Sequence, residues 1–142
     1  FIFFGDGAIE QGAFYESINF AAVKNLPTVF VCENNLYSVY SSLKNRQPKK
    51  RKIFQMIKSI GLKSYSCDGN NVLNCYKTFK KALEFVKIKK KPVFLEFYTY
   101  RHYEHCGPNT DDDLKYRPIK EINFWKKKIL LKLQKKFLKK MN

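Results

Sequence analysis

The chain has 142 residues, and its 28 Lys and Arg against 12 Asp and Glu give a formal net charge of +16. Apolar residues make up 44% and aromatic residues 16% of the sequence, which excludes an intrinsically disordered chain. The length fits one domain or part of one. No apolar run reaches the roughly 18 residues of a membrane span, so we expect no membrane partner.

The chain opens directly on an apolar run, Phe1 to Phe4, without a starting Met or a basic lead-in. A first strand needs neighbouring strands to pair with, so this opening favours a domain that lacks its N-terminal part. The opening is not typical of a signal peptide.

Basic residues cluster at 49–52, 87–91 and 126–140. Such charge attracts nucleic acid or an anionic surface, although an AT-rich genome would also produce a sequence rich in Lys, Asn, Ile and Phe. A basic nucleic-acid-binding module is therefore an alternative hypothesis, and we favour compositional bias over it.

Four cysteines, at positions 32, 67, 75 and 106, show neither CxxC nor zinc-site spacing. Scattered thiols in a chain of this length are typical of a reducing compartment, and we expect a cytoplasmic location.

Apolar periodicity predicts alternating strands and helices. A continuous β-branched and aromatic run such as TVFVC, residues 28–32, is typical of a parallel strand buried on both faces. Polar loops are predicted at 33–47 and 100–117, and Gly61 is predicted to end a helix in the left-handed conformation. The predicted strands cover 2–4, 28–32, 63–67 and 92–98, and the predicted helices cover 10–24, 48–60, 72–87 and 118 onward.

This alternation predicts an α/β fold with a parallel sheet and helices on both faces. Ligands of such sheets bind outside the carboxyl ends of the strands. Three segments follow predicted strands there and carry polar groups, at 5–8, 33–40 and 99–113.

Two motifs stand at neighbouring strand ends. Gly5-Asp6-Gly7 follows the first strand, Asn34-Asn35 follows the second, and 26 residues lie between them. A glycine turn before a helix offers backbone N–H groups to a diphosphate. Carboxylate and amide oxygens suit Mg²⁺. The pair of motifs therefore predicts a magnesium–diphosphate site.

The signature is extended by the segments GDGAIEQGAFYESINFAAVKNLPTVFVCENNLYSVY and PVFLEFYTYRHYEHCGPNTDDDLKYR, by Cys67-Asp68-Gly69-Asn70 and by Trp125, and the likeness covers residues 1 to about 128. They resemble the alpha subunit of the first component of 2-oxo acid dehydrogenases, the pyruvate, branched-chain and acetoin dehydrogenase family. The resemblance implies a thiamin diphosphate-binding fold, with a partial cofactor domain over 1–117 and a Lys-rich helix of the same domain over 118–142.

The resemblance also implies site residues. Asp6, the Asn35 side chain and the main-chain carbonyl of Tyr37 would ligate Mg²⁺. Gly7 and Ala8 would hold the diphosphate of thiamin diphosphate.

A loop histidine is the implied catalytic residue. His105, four residues after Arg101, would bind the diphosphate or orient the substrate and the lipoyl acceptor, and His102 is the competing candidate.

The residue after His105 departs from one branch of the family. Pyruvate-specific members carry a His-Ser pair here, and the Cys106 of this chain leaves a phosphorylation switch unsupported. The run 104–109 is closer to the acetoin branch. A Cys106–His105 nucleophile pair is disfavoured because adjacent loop residues seldom face each other.

The same resemblance implies oxidative decarboxylation of a small 2-oxo acid, with acyl transfer to a lipoyl-bearing acyltransferase. It implies a beta subunit in an α2β2 assembly that supplies the carboxylate against the cofactor's pyrimidine ring. We therefore expect the isolated chain to be inactive. An inactive remnant of such a subunit is a further alternative. The triplet Asp111–Asp113 is a candidate cation site, but a solvated acidic turn is favoured. Arg117 matches a loop position of the family and is the candidate partner of this acidic stretch.

Overall fold

The computed structural model describes residues 1–128, which belong to two compact units: one spans Phe1–Thr99 and the other begins at Tyr100. Among these residues, every helix is too short or too polar to cross a membrane.

The first unit is built on a four-stranded sheet in which all neighbours run parallel, in the order β1-β2-β6-β5. Its strands are β1 (Ile2–Gly5), β2 (Val29–Asn34), β5 (Lys63–Asp68) and β6 (Val93–Tyr98). β2 and β6 lie in the middle, which agrees with their nearly continuous apolar sequences.

Both faces of the sheet are covered by helices. On β2, Phe30 and Cys32 point to the cluster that contains residues of α1 (Gly12–Val23) and α3 (Ile53–Ser59). Val29 and Val31 point to the opposite cluster, which contains residues of α4 (Val72–Lys89). The predicted parallel α/β fold with helices on both faces is confirmed.

Helix ends follow local chemistry. The Asn71 side chain accepts hydrogen bonds from the N–H groups of Leu73 and Asn74 and so caps α4. Gly61 has φ of +107°, the left-handed conformation predicted for it after α3.

Two sequence predictions are wrong in detail. The loop predicted at 33–47 contains a small antiparallel pair, β3 (Tyr37–Ser38) with β4 (Ser41–Ser42), and the short helix α2 (Leu43–Arg46). Strands of two residues are too short to show alternation. The helix predicted from residue 48 begins at Ile53, because Pro48 and four consecutive basic residues precede its first buried side chain.

The second unit contains a 3₁₀ turn at Asp112–Leu114 and helix α5 (Ile119–Lys127). Ile122 is buried in α5, as the predicted apolar stripe requires. The stripe residues Ile129, Leu133 and Phe137 lie outside the described residues. The division into 1–117 and 118–142 stays a prediction.

Candidate functional site

The carboxyl ends of β1 and β2 lie side by side, with Gly5 opposite Glu33 in the parallel register. A 3₁₀ turn, Asp6–Glu10, follows β1 directly, and the Asn34-Asn35 turn begins at the last residue of β2. The sheet therefore brings the two motifs to one edge, as their spacing predicted.

Gly7 is where these two segments touch. A Cβ on Gly7 would lie 2.6 Å from Ser38 Oγ and 3.0 Å from Ser38 Cβ. A side chain at position 7 would force Ser38 to move, so glycine suits the close approach of the turn after β1 to β3. Ala8 closes the same turn, since its carbonyl accepts a hydrogen bond from the N–H of Gln11 at 3.2 Å.

The carboxylate of Asp6 is 1% exposed and pairs with one cationic side chain among residues 1–128. Its Oδ2 pairs with Nη2 of Arg46, the last residue of α2, and Nη1 of that guanidinium pairs with Oε1 of Glu10. Asp6 Oδ1 is buried and has no hydrogen-bond partner among residues 1–128. A buried carboxylate oxygen left without a donor is suited to a cation.

The Asn34-Asn35 turn is held from inside the sheet. Asn34 Nδ2 donates to Glu96 Oε1 at 2.7 Å, and Asn34 Oδ1 accepts from the N–H of Leu36 at 3.0 Å. Glu96 Oε2 also accepts from the N–H of Phe54, in the first turn of α3, at 3.1 Å. One carboxylate therefore ties the turn after β2 to the start of α3.

Burial is the largest influence on the pKa of Glu96. It raises the pKa of Glu96 above its ordinary value, while the hydrogen bonds from Asn34, Phe54 and Tyr98 act in the opposite direction. Burial next to this carboxyl also raises the pKa of Tyr98 to about 12.

Asn35 and Tyr37 form the remaining part of the predicted magnesium set. Asn35 Oδ1 accepts from the N–H of Tyr37 at 3.0 Å, and an amide oxygen has a second lone pair for another partner. Within residues 1–128 no cluster of three His, Cys, Asp or Glu side chains could hold a metal. The donors that this chain would offer are one carboxylate, one amide oxygen and one main-chain carbonyl, which are hard oxygen groups of the kind that Mg²⁺ prefers.

His105 lies on a closed loop of the second unit. The N–H of Glu104 donates to the carbonyl of Asn109 at 2.9 Å, and Glu104 Oε1 accepts from the N–H of Asn109 at 3.3 Å. His105 and Cys106 are both exposed on this loop. His102 is half-buried with its ring 4.8 Å from that of Tyr100, and burial followed by the charge of Arg117 lowers its pKa.

A buried acidic residue lies at the centre of a charged cluster in this unit. Asp111 is 2% exposed, and its carboxylate accepts from the Tyr116 hydroxyl at 2.5 Å and pairs with Arg101 at 3.3 Å and Arg117 at 3.4 Å. The predicted pairing of Arg117 with the acidic stretch is therefore confirmed. Asp111 is not the solvated residue predicted, because two guanidinium groups compensate its charge inside the unit.

Sequence reasoning missed three charged residues. Arg46 and Glu10 meet 36 positions apart, and Glu96 meets Asn34 62 positions apart, separations that no local pattern shows. A signal existed for Glu96 alone, because it is the single charge inside the strand sequence VFLEFY.

The family model described as "Dehydrogenase E1 component" matches residues 1–142. The chain belongs to this dehydrogenase E1 family. It is 36% identical over 124 residues to the alpha 1 subunit of the mitochondrial 2-oxoisovalerate dehydrogenase of Arabidopsis thaliana, a match that covers 87% of this chain and 26% of the relative. It is 37% identical over 128 residues to the alpha subunit of the pyruvate dehydrogenase E1 component of Rickettsia felis, covering 90% of this chain and 38% of the relative.

The chain thus spans between about a quarter and two-fifths of the length of these relatives. Among solved structures, a transketolase variant from Pichia stipitis is similar in fold, with a TM-score of 0.62 and 17% identity over 96% of this chain and 24% of that chain. The thiamin diphosphate-binding fold predicted from the sequence is confirmed, and the resemblance to 2-oxo acid dehydrogenase alpha subunits is confirmed with it.

Proposed function

We propose that this chain provides the diphosphate-anchoring part of a thiamin diphosphate site in a 2-oxo acid dehydrogenase. The observation that carries the proposal is the buried carboxylate of Asp6, which follows β1 directly and keeps one oxygen without a donor among residues 1–128. Membership of the E1 family supports it.

In this proposal Asp6, the Asn35 side chain and the Tyr37 carbonyl hold Mg²⁺. Gly7 and Ala8 offer the close-packed turn to the diphosphate, since a side chain at Gly7 would collide with Ser38. Hard oxygen donors and a shared anionic ligand are the usual environment of protein-bound Mg²⁺.

Bound thiamin diphosphate supplies the electron sink for decarboxylation of a 2-oxo acid. The residues of this chain anchor the diphosphate end of the cofactor and hold it at the carboxyl ends of β1 and β2. His105, exposed on its closed loop, orients the substrate or the lipoyl acceptor. The E1 alpha relatives and the sequence resemblance support a beta subunit, an α2β2 assembly and a lipoyl-bearing acyltransferase as partners. The compartment stays a prediction.

The test is reconstitution. The chain is co-expressed with a beta subunit of the family, supplied with Mg²⁺ and thiamin diphosphate, and assayed for CO₂ release from pyruvate, from branched-chain 2-oxo acids and for acetoin cleavage. We expect turnover by the pair and none by the chain alone. Turnover by the chain alone would remove the need for a partner, and a folded pair that binds no cofactor would overturn the proposal.

A further inference from the structure

Arg46 occupies an unexpected place in this site. Its guanidinium pairs with the buried Asp6 through Nη2 and with Glu10 through Nη1, and its side chain is only 11% exposed. Two further hydrogen bonds hold this ion pair in place. Arg46 Nε donates to the carbonyl of Ser41 at 3.1 Å, and Gln47 Nε2 donates to the Glu10 oxygen that Arg46 also contacts, at 3.0 Å.

The pairing changes the charge that a metal ion would meet. Asp6 is the single carboxylate of the proposed ligand set, and the guanidinium on its Oδ2, which Asp6 shares with Glu10, offsets part of its negative charge. A fixed positive charge at hydrogen-bond distance from a ligand oxygen repels a divalent cation, and the repulsion is strong where water is excluded. Free Mg²⁺ is therefore attracted less than it would be by the two carboxylates without Arg46.

A diphosphate reverses this balance. Arg46 Nη1 lies 3.9 Å from the position of a Cβ on Gly7, so the guanidinium borders the turn that would receive the diphosphate. Phosphate oxygens are good partners for the planar fork of an arginine, and they also complete the coordination of Mg²⁺. The same diphosphate would then bind both the Arg46 guanidinium and Mg²⁺.

We propose that Arg46 couples metal binding to diphosphate binding: it weakens the binding of a free divalent cation at Asp6 and strengthens the binding of the diphosphate that accompanies the metal. This inference rests on the proposed function. Because coupling between two ligands is reciprocal, each ligand raises the affinity for the other, and Arg46 sets part of that factor.

The experiment measures Mn²⁺, used in place of Mg²⁺, by the electron paramagnetic resonance signal of the free hydrated ion. Titrations are run with and without thiamin diphosphate, on the full 142-residue chain alone and with its co-expressed beta subunit. The test variant is Arg46→Gln, and Arg46→Lys retains the charge. Arg51→Gln is the matched control, because Arg51 donates to Gln47 at 3.1 Å and its removal changes the net charge equally. Asp6→Asn tests the site itself, and circular dichroism checks the fold of every variant.

We expect Arg46→Gln to bind Mn²⁺ about tenfold more tightly without thiamin diphosphate, within the usual range of coupling effects. The gain in Mn²⁺ affinity on adding thiamin diphosphate should shrink, and Arg51→Gln should remain near the unsubstituted chain. Arg46→Lys keeps the positive charge but lacks the planar fork, so it should keep the weak binding of free Mn²⁺ and lose part of the gain.

Unchanged or weaker Mn²⁺ binding by folded Arg46→Gln, with binding still lost in Asp6→Asn, would overturn the coupling role and leave the proposed function standing. Failure of every folded sample to bind Mn²⁺ with thiamin diphosphate would overturn the proposed function itself, and the inference with it.

Discussion

Asn34 donates from Nδ2 to Oε1 of Glu96 at 2.7 Å, and through this bond a buried carboxylate in the sheet fixes the turn that carries Asn35. The same carboxylate accepts from the N–H of Phe54. The geometry of the proposed magnesium ligand Asn35 thus depends on a residue in another strand.

Glu96 should make stability depend on pH in an unusual direction. Because burial raises its pKa in the folded state, the folded chain binds this proton more tightly than the unfolded chain. The free energy of unfolding should therefore fall as pH rises from the ordinary value near 4.5 through the raised folded value. Glu96→Gln should lose this slope in urea titrations across that window.

The matched control is Glu84→Gln, at an exposed position on α4, which should keep the slope of the unsubstituted chain. An identical slope in Glu96→Gln would show that Glu96 does not carry the effect.

Gly7→Ala should destabilise the first unit and weaken thiamin diphosphate binding. The added Cβ would lie 2.6 Å from Ser38 Oγ, and overpacking of this kind costs about 1–3 kcal/mol. Ser38→Gly in the same chain should restore part of the loss. The urea midpoint measures stability and calorimetry measures binding.

Gly12→Ala is the comparison for this substitution, because a Cβ at Gly12 meets nothing within 4 Å. It should be neutral or stabilise the chain by up to about 1 kcal/mol. Equal behaviour of the two alanine variants would contradict the packing argument.

Asp111→Asn should loosen the second unit. It leaves the guanidinium groups of Arg101 and Arg117 without their buried counter-charge, a loss of about 3 kcal/mol for a buried pair. Trp125, the only tryptophan, stacks on Tyr100 at 5.2 Å between ring centroids, so its fluorescence reports on this unit. Asp113→Asn, at an exposed position, should leave both the emission and the unfolding midpoint unchanged.

His105→Gln should mainly lower turnover, whereas His102→Gln should mainly lower stability. His105 is exposed, so its substitution should leave the unfolding midpoint unchanged and lower the turnover of the reconstituted enzyme at least about tenfold. His102 packs edge-on against Tyr100, so its substitution should lower stability first. Full turnover in His105→Gln would remove it from the site.

The sequence predicted the central strands and the long helix well, because buried β-branched runs and a helical apolar stripe are local signals. It placed Asp6, Gly7 and Asn35 at one sheet edge, because parallel strands end together. It could not show that Arg46 pairs with Asp6, 40 positions away, or that Glu96 bonds Asn34, 62 positions away. Only tertiary packing brings such distant residues together. Their charges gave no indication of which partner each would meet.

In the proposed function, Asp6 anchors thiamin diphosphate through a divalent metal. The most direct measurement is a calorimetric titration of thiamin diphosphate into the chain with its co-expressed beta subunit, with and without Mg²⁺. Glu33→Gln is the control for Asp6→Asn, because it removes the same charge at an exposed position on the same sheet edge. We predict Mg²⁺-dependent binding that Asp6→Asn abolishes and Glu33→Gln retains. Binding that is independent of Mg²⁺, or equal in Asp6→Asn and Glu33→Gln, would contradict the account.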